Sequence, residues 1–182
     1  FFKALKTNTY KSPLVLICCK KILLNQMKKN KFKKKINILE INNLKKYNLN
    51  NKYINLIDIE CKRFKNNFKI NLINKYLKNS FDFALKLIND KFSNKLINGP
   101  INKKSFLNKR FLGITEYISK KSKSKKTAML IYNKNLSVCP VTTHLPLKLV
   151  NKNITKKIIK EKINIIDNFF KKNLNYKPKI AV

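Results

Sequence analysis

Tryptophan is absent from this 182-residue chain, and glycine (2), arginine (2), histidine (1) and acidic residues (8) are scarce. Each shortage excludes something. With only Gly99 and Gly113, neither the G-x-G-x-x-G turn of a Rossmann dinucleotide site nor the G-x-x-x-x-G-K-[ST] phosphate loop is present, so any nucleotide must be bound in another way. The longest apolar run, Leu14 to Cys19, falls far short of the roughly 20 residues of a membrane-spanning helix, which excludes an integral membrane protein and leaves a soluble chain as the expectation. The four cysteines, Cys18, Cys19, Cys61 and Cys139, form no C-x-x-C pair and no zinc-finger or disulfide spacing. They read as reduced, mostly buried thiols of a cytosol or organelle matrix, and no cleavable signal peptide opens the chain, so the expected location is cytoplasmic. The first residue is Phe1 rather than Met, and Phe1 to Lys6 reads as the middle of a helix, as though the chain were cut at its amino end.

What is abundant is lysine. The 43 basic residues give a net charge of +35, which by itself points to phosphate backbones. Yet 41 of them are Lys, and Arg63 and Arg110 are the only arginines, whereas phosphate and base-edge recognition usually draws on the guanidinium fork. There are also 28 Asn and 23 Ile, a profile of codons rich in A and T, so coding bias competes with function as the source of the charge. With 43% hydrophobic residues the chain is too apolar for a disordered basic tail, and a folded core is expected.

Along the chain, Pro13 to Cys18 has the pattern of a strand buried on both faces, and Ile22, Leu23, Leu24 and Met27 follow at helical spacing. Ile36 to Glu40 alternates like a strand, Asn42 to Lys52 reads as a loop, and Tyr53 to Ile59 as a further strand. Between Leu72 and Asp90, Leu77, Phe81, Ala84, Leu85 and Ile88 mark an amphipathic helix. Leu96-Ile97 suggests a strand ending at Asn98-Gly99-Pro100, where glycine permits an unusual φ, followed by a short helix from Lys103 to Lys109. Thr115 is a candidate helix N-cap ahead of a Lys/Ser run from Ser119 to Lys126. Two strands, Thr127 to Tyr132 and Leu136 to Thr143, would flank a turn at Asn133-Lys134-Asn135. Thr155 can cap a long helix to about Leu174, with Ile159, Ile163, Ile166 and Phe170 on one face, and Pro178 to Val182 would begin a last strand. Strands alternating with helices indicate an α/β layered fold with a mostly parallel sheet.

Few residues here can carry chemistry. His144 stands at the end of an apolar stretch, the place where ligands gather in α/β sheets, and is open to two readings: a hydrogen-bonded structural imidazole, or a metal or catalytic group whose partner ligands are not visible. Asn102 and Lys103 could lie over a phosphorylated or carboxylated substrate, or belong to a solvated tight turn. Thr115 could offer its hydroxyl and nearby N–H groups to an anion, or act as a plain cap. The Lys120 to Lys126 cluster is either a solvated surface or a landing strip for nucleic acid.

Taken together, Asn98-Gly-Pro-Ile-Asn-Lys103, Gly113-Ile-Thr-Glu-Tyr117 and Val141-Thr-Thr-His-Leu-Pro-Leu-Lys148 resemble, in order and spacing, three motifs of the 4-hydroxythreonine-4-phosphate dehydrogenase family of pyridoxal phosphate biosynthesis. Those motifs read T-G-P-[IV]-[NH]-K, G-H-T-E-[FY] and T-T-H-L-P-L-[RK]. Ile154-Thr155 and Pro178-Lys-Ile-Ala-Val182 are similar to the family's I-T-P-x-L helix start and P-R-I-A-V strand, and weaker similarity extends over most of the chain. The resemblance implies an α/β/α architecture like that of isocitrate and isopropylmalate dehydrogenases. It implies oxidation of 4-(phosphooxy)-L-threonine by NAD or NADP to a 3-oxo acid that decarboxylates to 3-amino-2-oxopropyl phosphate. It further implies a divalent cation (Zn, Mg or Co) held by three histidines at a cleft, in a homodimer.

By the same resemblance His144 takes the position of the first metal ligand, and Thr115 that of a substrate-contacting threonine. Ile114 stands where the family has a substrate-contacting histidine, and Asn98 where it has threonine. Residues 1–182 correspond to roughly the first half of the family chain, without its extreme amino-terminal segment or the half carrying the other metal histidines. A fragment inactive alone is therefore expected. The rival readings are a non-catalytic remnant and a basic, ribosomal-type RNA-binding protein; the T-T-H-L-P-L-K stretch, for which RNA binding gives no reason, speaks against the latter.

Overall fold

The computed structural model describes residues 1–7, 10–61, 70–108, 110–124 and 126–182, which divide into two units, Phe1–Phe106 and Leu107–Val182. The element order is α1 (Phe2–Thr7), β1 (Val15–Cys18), α2 (Lys20–Lys29), β2 (Ile36–Ile38), a 3-10 helix (Ile41–Lys46), β3 (Ile54–Asp58), α3 (Ile70–Asn89), α4 (Lys103–Leu107), α5 (Ile114–Lys121), α6 (Leu147–Asn153) and α7 (Lys156–Leu174).

In the first unit the three strands form a parallel sheet of order β1-β3-β2, with Leu56 of β3 opposite Leu16 on one side and Ile38 on the other. The alternation of β3 sorts its side chains to two faces. Ile54 and Leu56 pack with Leu23 and Met27 of α2 and with Phe32, while Ile57 packs with Leu39, Leu44 of the 3-10 helix and Leu87 of α3. Helices thus cover both faces, which is the layered α/β arrangement expected. Asn55, buried within β3, donates through Nδ2 to the carbonyls of Leu14 (3.1 Å) and Asn50 (2.9 Å) and accepts from Asn37 Nδ2 (3.3 Å). A buried amide satisfied in this way ties the entries of β1 and β3 together.

The stretch from Pro13 to Cys18 is not buried on both faces. It yields β1, a half-buried edge strand, because β3 takes the centre and leaves β1 a neighbour on one side only. The expected loop from Asn42 begins instead within the 3-10 helix, which exists to bury Leu44 against Ile57 and Leu87. Leu96-Ile97 forms no strand: Ile97 is 83% exposed and pairs with nothing among the described residues. Nor does Gly99 use a positive φ, and a Cβ there would meet nothing within 4 Å. The short helix at Lys103 ends at Leu107; Lys109 lies outside the described residues.

In the second unit α7 starts as its sequence suggests, with Thr155 as N-cap accepting from the Ile158 N–H at 3.2 Å, and it ends at Asn175 in the left-handed conformation. Phe170 of α7 is buried against Phe169, Tyr176 and Tyr132. The two expected strands around Asn133-Lys134-Asn135 reduce to one antiparallel bridge, Ile131 with Val138, closed by bonds from the Asn133 N–H to Ser137 Oγ and from the Asn135 N–H to Asn133 Oδ1. A two-stranded hairpin with no third strand has little to hold a longer ladder. Pro178 to Val182 is likewise no strand, and Val182 is 90% exposed. Helix α6, opened by Pro146, was not foreseen from the sequence. Lys125 of the Lys/Ser run lies outside the described residues.

All four cysteines are thiols, but only Cys19 is fully buried, since the other three sit at strand ends or in loops with water on one side. Among the described residues no helix is long and apolar enough to cross a membrane.

Candidate functional site

In the first unit, Asn102 caps α4. Its Oδ1 accepts from the Ser105 N–H at 3.2 Å, and its carbonyl accepts from Ser105 Oγ and the Phe106 N–H. Helix α4 is docked on α3 by the Asn74 amide, which donates to the Ser105 carbonyl at 2.9 Å, and by the stacked rings of Phe81 and Phe106. The Asn102 oxygen is therefore committed to the helix, which leaves its NH2 group and the exposed ammonium of Lys103 as donors.

In the second unit the motifs containing Gly113 and His144 meet. Gly113 is buried and is the N-cap of α5, in extended backbone that any residue can adopt. What requires glycine is space: a Cβ would lie 2.8 Å from Glu116 Oε2 and 3.6 Å from His144 Nε2. The carboxylate of Glu116 curls back over the first turn, in the position from which an N3 acid reaches toward its N-cap. Its Oε2 is buried without a hydrogen-bond partner among the described residues.

Two expectations change here. Thr115 is not the cap but an exposed residue inside the first turn of α5, because Gly113 already supplies the extended cap backbone. His144 does not end a strand; it lies in a bend ahead of α6. It is exposed and adopts a left-handed φ of 58°, uncommon for a residue with a Cβ and of the kind that recurs at ligand sites. Ile114 is half-buried beside Thr115, and Tyr117 is buried edge-on against Phe111. The first turn of α5 thus presents backbone N–H groups and the Thr115 hydroxyl, with the imidazole tip beside them. Glu116 was missed from the sequence, although its spacing from Gly113 is that of a capping acid. Among the described residues no group of three or more His, Cys, Asp or Glu side chains could hold a metal ion.

The strongest electrostatic perturbations lie elsewhere, at the carboxyl ends of β1 and β3. Burial pushes the Cys18 thiol from its ordinary 9.0 up to about 12, with Cys19 and Asp58 adding to the effect. Burial and the neighbouring Cys19 thiol push Cys61 to about 11. Tyr76 rises to about 12 through burial, against the lowering effect of its hydrogen bond with the Cys19 backbone.

Comparison with known proteins gives a consistent result. Residues 10–182 match the family described as pyridoxal phosphate biosynthetic protein PdxA. The 4-hydroxythreonine-4-phosphate dehydrogenase of Sulfurihydrogenibium sp. (strain YO3AOP1) is 38% identical over 110 residues, covering 59% of this chain and 33% of the relative. The Neisseria meningitidis serogroup A enzyme of the same name is 35% identical over 113 residues, covering 59% and 34%. Among solved structures, the Klebsiella pneumoniae 4-hydroxythreonine-4-phosphate dehydrogenase superposes with a TM-score of 0.71 at 18% identity, over 88% of this chain and 50% of that one. The chain thus spans about half the length of this solved relative, and its match to the curated relatives covers about a third of theirs.

Proposed function

This chain belongs to the family of pyridoxal phosphate biosynthetic protein PdxA, and on that premise we propose that it supplies part of the substrate site of an NAD- or NADP-linked dehydrogenase. The substrate on this reading is 4-(phosphooxy)-L-threonine, whose secondary alcohol is oxidised to a 3-oxo acid that loses carbon dioxide to give 3-amino-2-oxopropyl phosphate. The complete enzyme works as a homodimer in pyridoxine 5'-phosphate synthesis, in the cytoplasm. The observation that carries this reading is the meeting of two motifs distant in sequence: His144 Nε2 stands over Gly113, at the head of the helix that bears Thr115.

The chain's own residues bind and orient. The first-turn N–H groups of α5 and the Thr115 hydroxyl suit an anionic group of the substrate, since those donors lack helical partners. The imidazole of His144 lies beside that turn and can face the reacting oxygen. In the first unit, Asn102 and Lys103 separately offer exposed donors of the kind that hold a phosphate or carboxylate. Ile114 offers nothing polar where the family pattern has histidine, which favours a chain with weakened binding or a non-catalytic remnant.

A nicotinamide would accept the hydride, and a divalent cation (Zn, Mg or Co) would polarise the substrate oxygen. The described residues do not fit a bound cation by themselves. One imidazole and one carboxylate fall short of the three or four ligands such a site needs.

Calorimetric titration of the chain with 4-(phosphooxy)-L-threonine tests this reading. Saturable binding is expected. Replacing Thr115 by Ala should weaken it by about 1.5–3 kcal/mol, roughly ten- to 150-fold, the size of a lost hydrogen bond to a charged group, and Ile114→His should strengthen it. Absence of saturable binding in both the native chain and the Ile114→His variant would overturn the proposal.

A further inference from the structure

We propose that the carboxylate of Glu116 binds the ammonium group of the substrate and so makes the site specific for a 2-amino acid. The inference rests on the dehydrogenase reading and deepens it within the second unit alone. Its starting observation is an acceptor without a donor. Glu116 Oε2 is buried with no hydrogen-bond partner among the described residues, and the carboxylate turns back over the head of α5, where Oε2 and His144 Nε2 approach one point above Gly113 at 2.8 and 3.6 Å. A buried carboxylate oxygen left unpaired is costly, and a cation or N–H donor delivered to it removes that cost.

Lysines are plentiful, with 43 basic residues against 8 acidic ones, and Lys120 stands four residues on from Glu116, the spacing at which an acid and a following lysine pair on a helix. Lys120 Nζ instead stands over the Phe111 ring, 5.6 Å from its centroid. The other two acids of the unit, Glu161 and Asp167, lie on α7, and Asp167 takes Lys171 at 2.6 Å. Glu116 is thus the acid set beside His144, and its buried oxygen is left for a donor from outside the chain.

The substrate brings that donor. In 4-(phosphooxy)-L-threonine the ammonium sits on the carbon next to the one bearing the hydroxyl, so nitrogen and reacting oxygen are separated by a single carbon–carbon bond. With the oxygen facing His144, the ammonium falls toward the adjoining Glu116 carboxylate, while the anionic groups keep the Thr115 hydroxyl and the first-turn N–H groups. Glu116 is half-buried, and its terminal torsion, which is broad for a glutamate, can turn an oxygen to the ammonium. Gly113 keeps the space between carboxylate and imidazole open, since a Cβ there would fill it.

The test is a calorimetric comparison of 4-(phosphooxy)-L-threonine with its deamino analogue, 3-hydroxy-4-(phosphooxy)butanoate, on the whole chain with Ile114 and with Ile114→His. The amino ligand is expected to bind roughly ten- to 150-fold more tightly, the size of a hydrogen bond to a charged group. Glu116→Gln should abolish that preference and leave the affinity for the analogue unchanged, whereas Glu161→Gln, which removes the same charge from α7, should keep it. Glu116→Asp, which retains the charge, should keep part of the preference and is the second variant should Glu116→Gln not fold. Equal affinity for the two ligands, or a preference that survives in Glu116→Gln, sinks the assignment and leaves the dehydrogenase reading standing. Binding of neither ligand with either residue at position 114 removes both.

Discussion

Cys18, Cys61 and Tyr76 share a corner of the sheet where ionisation is disfavoured by burial, and this fixes how stability responds to pH. Each folded-state pKa lies above its ordinary value, so between those values the unfolded chain has lost protons that the folded chain keeps. Stability contributed by these groups is therefore full below about pH 9 and declines as the pH rises toward about 11–12. Urea unfolding at pH 7, 9 and 10.5 should show the midpoint falling over the upper interval, and Cys18→Ser should flatten the decline; a midpoint that does not move would contradict the burial of these groups. This corner was legible only in part from the sequence. Four thiols could be counted, but setting Cys18 opposite Asp58 requires knowing that their strands are neighbours. Similarly, the motif around His144 announced itself through its side-chain types, whereas the role of Gly113 depends on atoms supplied by Glu116 and His144, which no local pattern places together.

Among the elements, β3 carries the most. Leu56 is fully buried, with neighbours on α2, β1 and β2, so truncating it removes contacts that its surroundings cannot restore. Leu56→Ala should cost about 2–5 kcal/mol, measured by denaturant unfolding, whereas Leu136→Ala, at a side chain 75% exposed, should cost little. The segments read correctly from sequence are those whose pattern is local: α2 and α3 through their apolar spacing, and α7 through Thr155 and its regular stripe. Strands were legible where a partner existed. Ile36–Ile38 and Ile54–Asp58 had one, while Leu96-Ile97, Leu136 to Thr143 and Pro178 to Val182 have comparable β-forming residues but no ladder to join. Helix α6, seven residues long after Pro146, is too short for its apolar residues to show a helical period in the sequence.

For the molecule as a whole, the net charge of +35 governs its behaviour toward polyanions without assigning it a function. Association with RNA should be weak, indifferent to sequence, and steeply reduced between about 50 and 200 mM salt, as expected of counterion release alone. A filter-binding or anisotropy series that found a preferred sequence persisting at high salt would restore RNA binding as a function. The sheet has a further consequence, in the order of events during synthesis. Its strands appear along the chain as β1, β2, β3 but stand in space as β1-β3-β2, so the last to be made is the only one that touches the other two. Until Asp58 has left the ribosome, β1 and β2 have no pairing partner in this sheet, and their apolar faces wait uncovered. The first unit therefore cannot assemble its sheet strand by strand as it emerges; the arrival of β3 completes both pairings together, and a ribosome stalled before that point would display two unmatched strand edges to chaperones and to neighbouring nascent chains.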